Sequence, residues 1–365
     1  MRILILVNKL SGGGAERVAS LWANGFVERG YKVGIVVNCR KRYIRYPLSE
    51  EVVVFNTYSS LRQILKKITN YKLSFIPNLK KIINEFRPNI IIGVMHPWAE
   101  YARLAQRGEC IPIINTEHNA FEWPANAPKK TILIKEQKYE WNKRYDHVTV
   151  LTEADKKCVT GILENVSVMP NPLSFEPLDN IPDKENIILA VGRLDAWYVK
   201  GFDILIKAWG MISQDFPNWK LQIVGSGNKK ILKYFRKLIS ENNIGKQTEL
   251  LGYQDDVSPF YKKASIFVMP SRYEGFGMVL IEAMSQGCAC IACDYNGRQR
   301  EIILSENEGV LCPVDDIYSL SNAIRRLIED EKYRNIIQHG AIVRSKYFDI
   351  HKIMDRWDEI LHYYI

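Results

Sequence analysis

Two glutamates, Glu274 and Glu282, bracket the run Gly275-Phe276-Gly277-Met278-Val279. An apolar stretch over 266–269 precedes them and helical periodicity begins near Gly277, so the segment reads as strand, glycine loop and helix start. A glycine-bearing loop entering a helix presents free backbone N–H groups and the positive end of the helix dipole, which suits a phosphate. Carboxylates on either side of that point are acceptors for vicinal sugar hydroxyls. The plain alternative is a solvated helix with two surface acids. Against it, Leu280, Ile281, Ala283 and Met284 are apolar and set Glu282 beside a buried surface.

Cations come from the stretch Val191-Gly192-Arg193-Leu194 and from Lys200 in Lys200-Gly201-Phe202-Asp203. The first of these closes an apolar strand. Ligands of open α/β sheets sit beyond the carboxyl ends of strands, where Arg193 and Lys200 would neutralise a diphosphate as it leaves. Either alone would pass for a surface salt bridge. The turn Gly225-Ser226-Gly227 follows another strand and adds backbone donors beside the same crevice. A further glycine loop, Gly12-Gly13-Gly14, follows the first apolar run and opens a helix, and is expected to let the donor nucleotide approach the backbone closely. It is not a dinucleotide fingerprint: Arg17 stands where a third glycine belongs, and the second strand ends at Asn38 rather than an acid that could hold a ribose.

The elements that must position these residues alternate. Strands are expected over 3–7, 32–37, 52–55, 90–94, 111–115 and 147–151, with helices over 15–29, 79–86, 99–107 and 131–143. The rhythm breaks in the proline-rich stretch from Met169 to Glu185, since proline resists helix and central strand alike. It resumes with strands over 186–191, 221–224, 249–251, 266–269, 288–292 and 309–312, and the chain ends in a helix from 350 to 365. The expected fold is α/β, with two Rossmann-like, doubly wound parallel-sheet domains facing across a cleft. Their ranges are 1–170 and 171–349, and the final helix, 350–365, packs back towards the first domain.

Composition bounds the rest. The 365 residues allow two cores, and 47% apolar with 25% charged content is that of a globular chain. A net charge of +9 points to anionic company: phosphorylated substrates, an anionic membrane face or nucleic acid. The charge is spread and no nucleic-acid motif is recognisable, so nucleic acid is not expected as a partner. The opening apolar run is too short for a signal peptide and no stretch approaches a membrane span, which places the protein in the cytoplasm or resting on the membrane's inner face. Seven cysteines are an odd number, against a disulfide framework. Cys288, Cys290 and Cys293 share an apolar strand-like run that sends them to both faces, so buried small residues are expected rather than a metal site.

Taken together, these residues resemble the retaining glycosyltransferases of two-Rossmann (GT-B) architecture, of the family 4 / group 1 type found in bacterial polysaccharide and lipid-linked glycan assembly. The resemblance rests on Gly12–Gly14, Val191–Leu194 with Lys200, Gly225–Gly227 and the acid pair, and it covers nearly the whole chain. It implies a first domain that binds acceptor and a second that binds the donor, a nucleotide diphosphate sugar, here UDP-linked. It implies that Glu282 binds the donor ribose and Glu274 the sugar hydroxyls. Arg193 and Lys200 would hold the diphosphate, helped by backbone N–H groups of Phe276, Gly277, Met278 and Val279. A family histidine near the donor sugar corresponds to His118, in Thr116-Glu117-His118-Asn119. The gap from Arg193 to Lys200 is longer than the family's usual one. Transfer with retention, without an enzyme nucleophile, is the implied mechanism, the departing phosphate accepting the acceptor's proton.

No Asp-x-Asp triplet occurs, so neither metal nor other cofactor is expected. On the acceptor side, the segment from Leu61 to Phe86 carries Arg62, Lys66, Lys67, Lys72, Lys80 and Lys81 among apolar residues. It reads equally as a basic amphipathic helix meeting anionic lipid or a polyprenyl-diphosphate-linked acceptor, and as an ordinary solvated face. His96, Pro97 and Trp98 border an acceptor pocket or simply pack a helix start. The competing functions are a nucleotide-sugar 2-epimerase-like isomerase and a non-enzymatic basic binding module.

Overall fold

The computed structural model describes residues 1–58, 72–106, 110–122 and 137–364. The chain divides into two compact units, Met1–Pro172 with Ile350–Ile365, and Leu173–Asp349.

The first unit holds β1 (Arg2–Leu6), β2 (Lys32–Val37), β3 (Val53–Asn56), β4 (Ile90–Val94), β5 (Ile113–Thr116), β6 (His147–Val150) and β7 (Val166–Val168). They form one sheet in the order β3-β2-β1-β4-β5-β6-β7. Every pairing is parallel, with Leu4 between Gly34 and Ile91. A parallel sheet is covered on both faces, which is why β1 and β4 are continuous apolar runs buried along nearly their whole length. On one face Leu4, Leu6 and Ile91 pack with Phe75, Leu79, Ile83 and Trp98. The C-terminal helix Ile350–His362 belongs to this unit: Trp357 meets Trp22 edge-on at 5.0 Å, and Arg29 pairs with Asp355 at 2.6 Å and with Asp358.

The second unit holds β8 (Glu185–Val191), β9 (Lys220–Val224), β10 (Thr248–Gly252), β11 (Ala264–Met269), β12 (Ala289–Cys293) and β13 (Val310–Cys312), in the order β10-β9-β8-β11-β12-β13. All its pairings are parallel too. Its core joins Ile188, Leu221, Ile223, Ile266 and Ile291 to Phe202, Trp209 and Phe235 from the covering helices.

Two elements differ from the sequence expectation. The helix expected over 79–86 runs from Lys72 to Phe86 with Pro77 inside it. Proline argues for a later start, but Phe75 and Leu79 on either side of it are both buried, and that burial carries the helix through. β7 was not anticipated, because three residues give no periodicity to read. Of the helix expected over 131–143, residues 131–136 lie outside the described residues, and 137–142 are helical.

Candidate active site

In the second unit the loops at the carboxyl ends of β8, β9 and β11 converge. After β8, Leu194 N–H donates to the Ser226 carbonyl at 2.8 Å, tying the Arg193 loop to the turn after β9. A Cβ on Gly225 would stand 1.8 Å from the Gly192 carbonyl oxygen, and one on Gly227 would stand 2.9 Å from Leu194 Cβ. Both glycines are therefore needed for the two loops to approach, independently of any ligand they serve. Arg193 is exposed on the outer side of this contact.

The long gap from Arg193 to Lys200 is taken up by two short helical turns, Leu194–Ala196 and Trp197–Lys200, and Gly201 then reverses the chain at φ 66°. A Cβ there would lie 1.8 Å from the Pro270 carbonyl oxygen, so only glycine lets this turn dock on the end of β11. Docking brings the Lys200 ammonium to 2.5 Å from Glu274 Oε2. Cation and acid, distant in sequence, thus meet at the mouth of the Gly275-Phe276-Gly277 loop. Gly277, at φ 101°, precedes the helix Met278–Ser285, whose start has no side-chain cap, so its first N–H groups point outward at the positive pole of the helix. Glu282 lies on that helix, buried, and accepts a hydrogen bond from Tyr261 Oη at 3.2 Å. Burial, and after it the Glu282 charge, push the Tyr261 phenol well above its ordinary range, so it remains a donor that orients this carboxylate.

Sequence reasoning missed the residue that fastens this arrangement. Arg272 donates to both carboxylate oxygens of Asp203 at 2.7 and 2.8 Å, to the Tyr198 carbonyl at 2.8 Å and to Asp315 at 2.5 Å. Its guanidinium lies 4.3 Å from the Tyr198 ring centre, and its backbone N–H donates to the Val199 carbonyl at 2.8 Å. Arg272 therefore clasps the segment carrying Lys200 to the segment carrying Glu274. Burial opposes its charge, but the two aspartates outweigh that and raise its pKa. The available signal was Asp203, an acid inside the apolar start of the helix Phe202–Gly210.

In the first unit, Gly12 and Gly13 lead into the helix Gly14–Glu28, and Tyr46 Oη donates to the Gly13 carbonyl at 3.3 Å. His118 follows β5. Its Nε2 lies 3.1 Å from Thr116 Oγ1 and its ring 5.5 Å from that of Trp22. Burial lowers its pKa to about 4, against the pull of Glu117, so the imidazole is neutral near pH 7. Beneath it, Glu117 pairs with Lys138 at 3.0 Å and accepts from Asn115 and Asn142. Burial works against the Glu117 charge, but Lys138 and the two amides hold its pKa below the ordinary value. This buried network was also missed, because its partners come from different elements.

His96 begins the helix His96–Ala105, stacked on Trp141 at 4.0 Å with Nδ1 2.6 Å from Tyr145 Oη, while Trp98 packs against Phe75. Trp98 thus follows the helix-packing reading. In the basic segment, the positions of Arg62, Lys66 and Lys67 lie outside the described residues. Lys80 and Lys81 are exposed, while the apolar face of their helix, with Phe75, Leu79 and Ile83, is spent on the core.

Cys288, Cys290, Cys293 and Cys312 are buried free thiols, and burial raises the pKa of each. Among the described residues no group of three His, Cys, Asp or Glu side chains is placed to hold a metal. Among the same residues no helix is long and apolar enough to cross a membrane.

Two all-parallel α/β units, the second with the Lys200–Glu274 pair at its strand ends, have the architecture of the GT-B class of glycosyltransferases. Residues 12–176 match the family described as Glycosyltransferase Family 4, and residues 176–343 match Glycosyl transferases group 1. The chain belongs to this glycosyltransferase family. Family membership favours neither the isomerase nor the binding-module alternative. It is 29% identical to the N-acetylgalactosamine-N,N'-diacetylbacillosaminyl-diphospho-undecaprenol 4-alpha-N-acetylgalactosaminyltransferase of Campylobacter jejuni, over 96% of each chain. It is 29% identical to the UDP-Gal:alpha-D-GlcNAc-diphosphoundecaprenol alpha-1,3-galactosyltransferase of Escherichia coli, over 79% of this chain and 78% of that one. The fold is that of the Anabaena protein HepE in complex with UDP-glucose, with a TM-score of 0.78, 20% identity and 99% of each chain covered.

Proposed function

We propose that this chain moves a hexose or N-acetylhexosamine from a UDP-linked donor to a glycan carried on a polyprenyl diphosphate, with retention of anomeric configuration and without a metal. The observation that carries the donor side is the Lys200–Glu274 pair at the mouth of the uncapped helix Met278–Ser285. With side chains 24% and 17% exposed, both halves of the pair remain open to a donor, whose diphosphate and hydroxyls can replace them. The diphosphate would take Lys200, Arg193 and the N–H groups from Phe276 to Val279, and the sugar hydroxyls would take Glu274. Glu282, oriented by Tyr261, would receive the ribose hydroxyls.

Neutralisation by Lys200 and Arg193 lowers the barrier to departure of the nucleotide, whose phosphate then takes the proton from the acceptor hydroxyl. Neutral His118 is the first unit's group for the donor sugar: it offers a hydrogen bond and brings no charge. The acceptor assignment draws on the two relatives, whose names specify undecaprenyl-diphosphate-linked substrates. It implies a protein working at the inner face of the cytoplasmic membrane, in peripheral contact with it.

The test is a panel of UDP- and GDP-sugars incubated in chelator, with and without a membrane lipid extract, reading released nucleotide. Acceptor-dependent release from one donor, lost in Arg193→Ala and Glu282→Ala, is the expected result. No release from any donor, with no donor binding by calorimetry, would remove the reading.

A further inference from the structure

The charge of the first unit is concentrated in a way the donor site does not use. Residues 8–17 and 38–46, the loops at the carboxyl ends of β1 and β2, carry Lys9, Arg17, Arg40, Lys41, Arg42 and Arg45 against the single acid Glu16. Six cations less one acid leave +5 there, more than half of the chain's +9. The second loop is not a loose tail. Leu10 N–H donates to the Tyr43 carbonyl at 3.0 Å, and the Leu10 carbonyl accepts from Arg45 and Tyr46 N–H at 2.9 and 3.0 Å. Tyr46 reaches on to the Gly13 carbonyl, with the Arg17 guanidinium 5.0 Å from its ring centre. Tyrosines also brace the outer arginines: Arg40 donates to Tyr58 Oη at 2.9 Å and Arg42 to Tyr43 Oη at 3.1 Å.

Among the described residues no acid pairs with Arg40, Lys41 or Arg42, and all three are exposed. The Leu10 segment that anchors this loop leads into the helix Gly14–Glu28, whose N-cap Gly13 has the Glu16 carboxylate against it. A merely solvating patch needs no such backbone anchoring. Guanidinium forks braced by tyrosines on a backbone-anchored loop are matched to phosphate oxygens, two or more of them in a row. No acid follows β2 to hold a ribose, so a dinucleotide is not what this loop is shaped for.

We infer that the Arg40–Arg45 loop, seated on the Lys9–Gly14 loop, binds the diphosphate of the lipid-linked acceptor. This rests on the proposed acceptor class and deepens it. The arginines grip the lipid-proximal diphosphate and leave the glycan end to be glycosylated.

Calorimetry on the full chain tests this. Inorganic pyrophosphate is titrated into protein already saturated with UDP, so that the donor site is occupied, for the wild type and for Arg40→Ala/Lys41→Ala/Arg42→Ala. The expected result is saturable pyrophosphate binding that weakens at least tenfold in the triple variant, with UDP affinity unchanged. A wild type that binds no pyrophosphate, or a variant that binds it equally well, overturns the inference. If that same variant loses flotation on phosphatidylglycerol vesicles, the patch serves a lipid headgroup instead. Failure of the wild type to bind UDP would count against the donor reading alone. Pyrophosphate titrated without UDP would then still decide the patch.

Discussion

Removing the Arg272 side chain should loosen the second unit and its donor site together. Arg272→Ala leaves Asp203, whose side chain is 10% exposed, without its bidentate partner, and takes the donor from the Tyr198 carbonyl. Breaking a buried ion pair by deleting one partner costs ~3–5 kcal/mol. Arg272 is itself 13% exposed, so water relieves a little of this and a loss of about 3 kcal/mol is expected. Urea denaturation followed by tryptophan fluorescence reads the effect, since Trp197, Trp209 and Trp219 all lie in this unit. The Asp203→Ala/Arg272→Ala double variant should recover part of the loss, with a coupling of about 1.5–3 kcal/mol. The donor KM should rise in Arg272→Ala more than kcat falls, because Lys200 and Glu274 lose their common anchor. A cost below about 1 kcal/mol, or single effects that add within ~0.5 kcal/mol, would refute the clasp.

Three further outcomes follow from the same structure. Gly201→Ala forces a Cβ to 1.8 Å from the Pro270 carbonyl and adds ~1–2 kcal/mol of left-handed strain, so the donor KM should rise more than tenfold; an unchanged KM would separate Lys200 from that turn. His118 has a folded pKa of about 4 against 6.5, so its contribution is complete above pH 6.5 and declines as pH falls towards 4, where the unfolded chain binds a proton that the folded chain refuses. The acid side of a thermal-stability profile should therefore be shallower in His118→Gln. For the thiols, Cys110 is exposed, while burial holds Cys288 at a pKa of about 11 and Cys293 and Cys312 at about 12. Aromatic disulfide reagent at pH 8 should label Cys110 first and those three only after unfolding, as peptide mapping would show.

What could be read from the sequence was local. The segment from Ser271 to Met284 announces itself because strand, glycine loop, acid pair and helix lie in one short run, and strand periodicity located β8 to β13 within a residue or two. Lys200 was legible as a cation, but its partner was not: contact with Glu274 depends on Gly201 docking against Pro270, which no spacing reveals. Arg272 and Asp315 come from two loops and Asp203 from a helix, and Glu117 and Lys138 from two further segments, so each network exists only once the sheets have assembled. Gly225 and Gly227 read as ligand-facing donors, yet their first role is letting two loops touch. The helix Lys72–Phe86, expected only over 79–86, shows burial of Phe75 and Leu79 carrying a helix through Pro77.

The most direct test of the donor site is UDP binding by calorimetry, comparing the wild type with Glu282→Ala and Lys200→Met in the presence of chelator. The account predicts saturable binding by the wild type without metal, weakened at least tenfold in each variant while both keep the wild-type thermal transition. Equal affinity in all three proteins would contradict it, and would place the nucleotide somewhere other than the loops that follow β8 and β11.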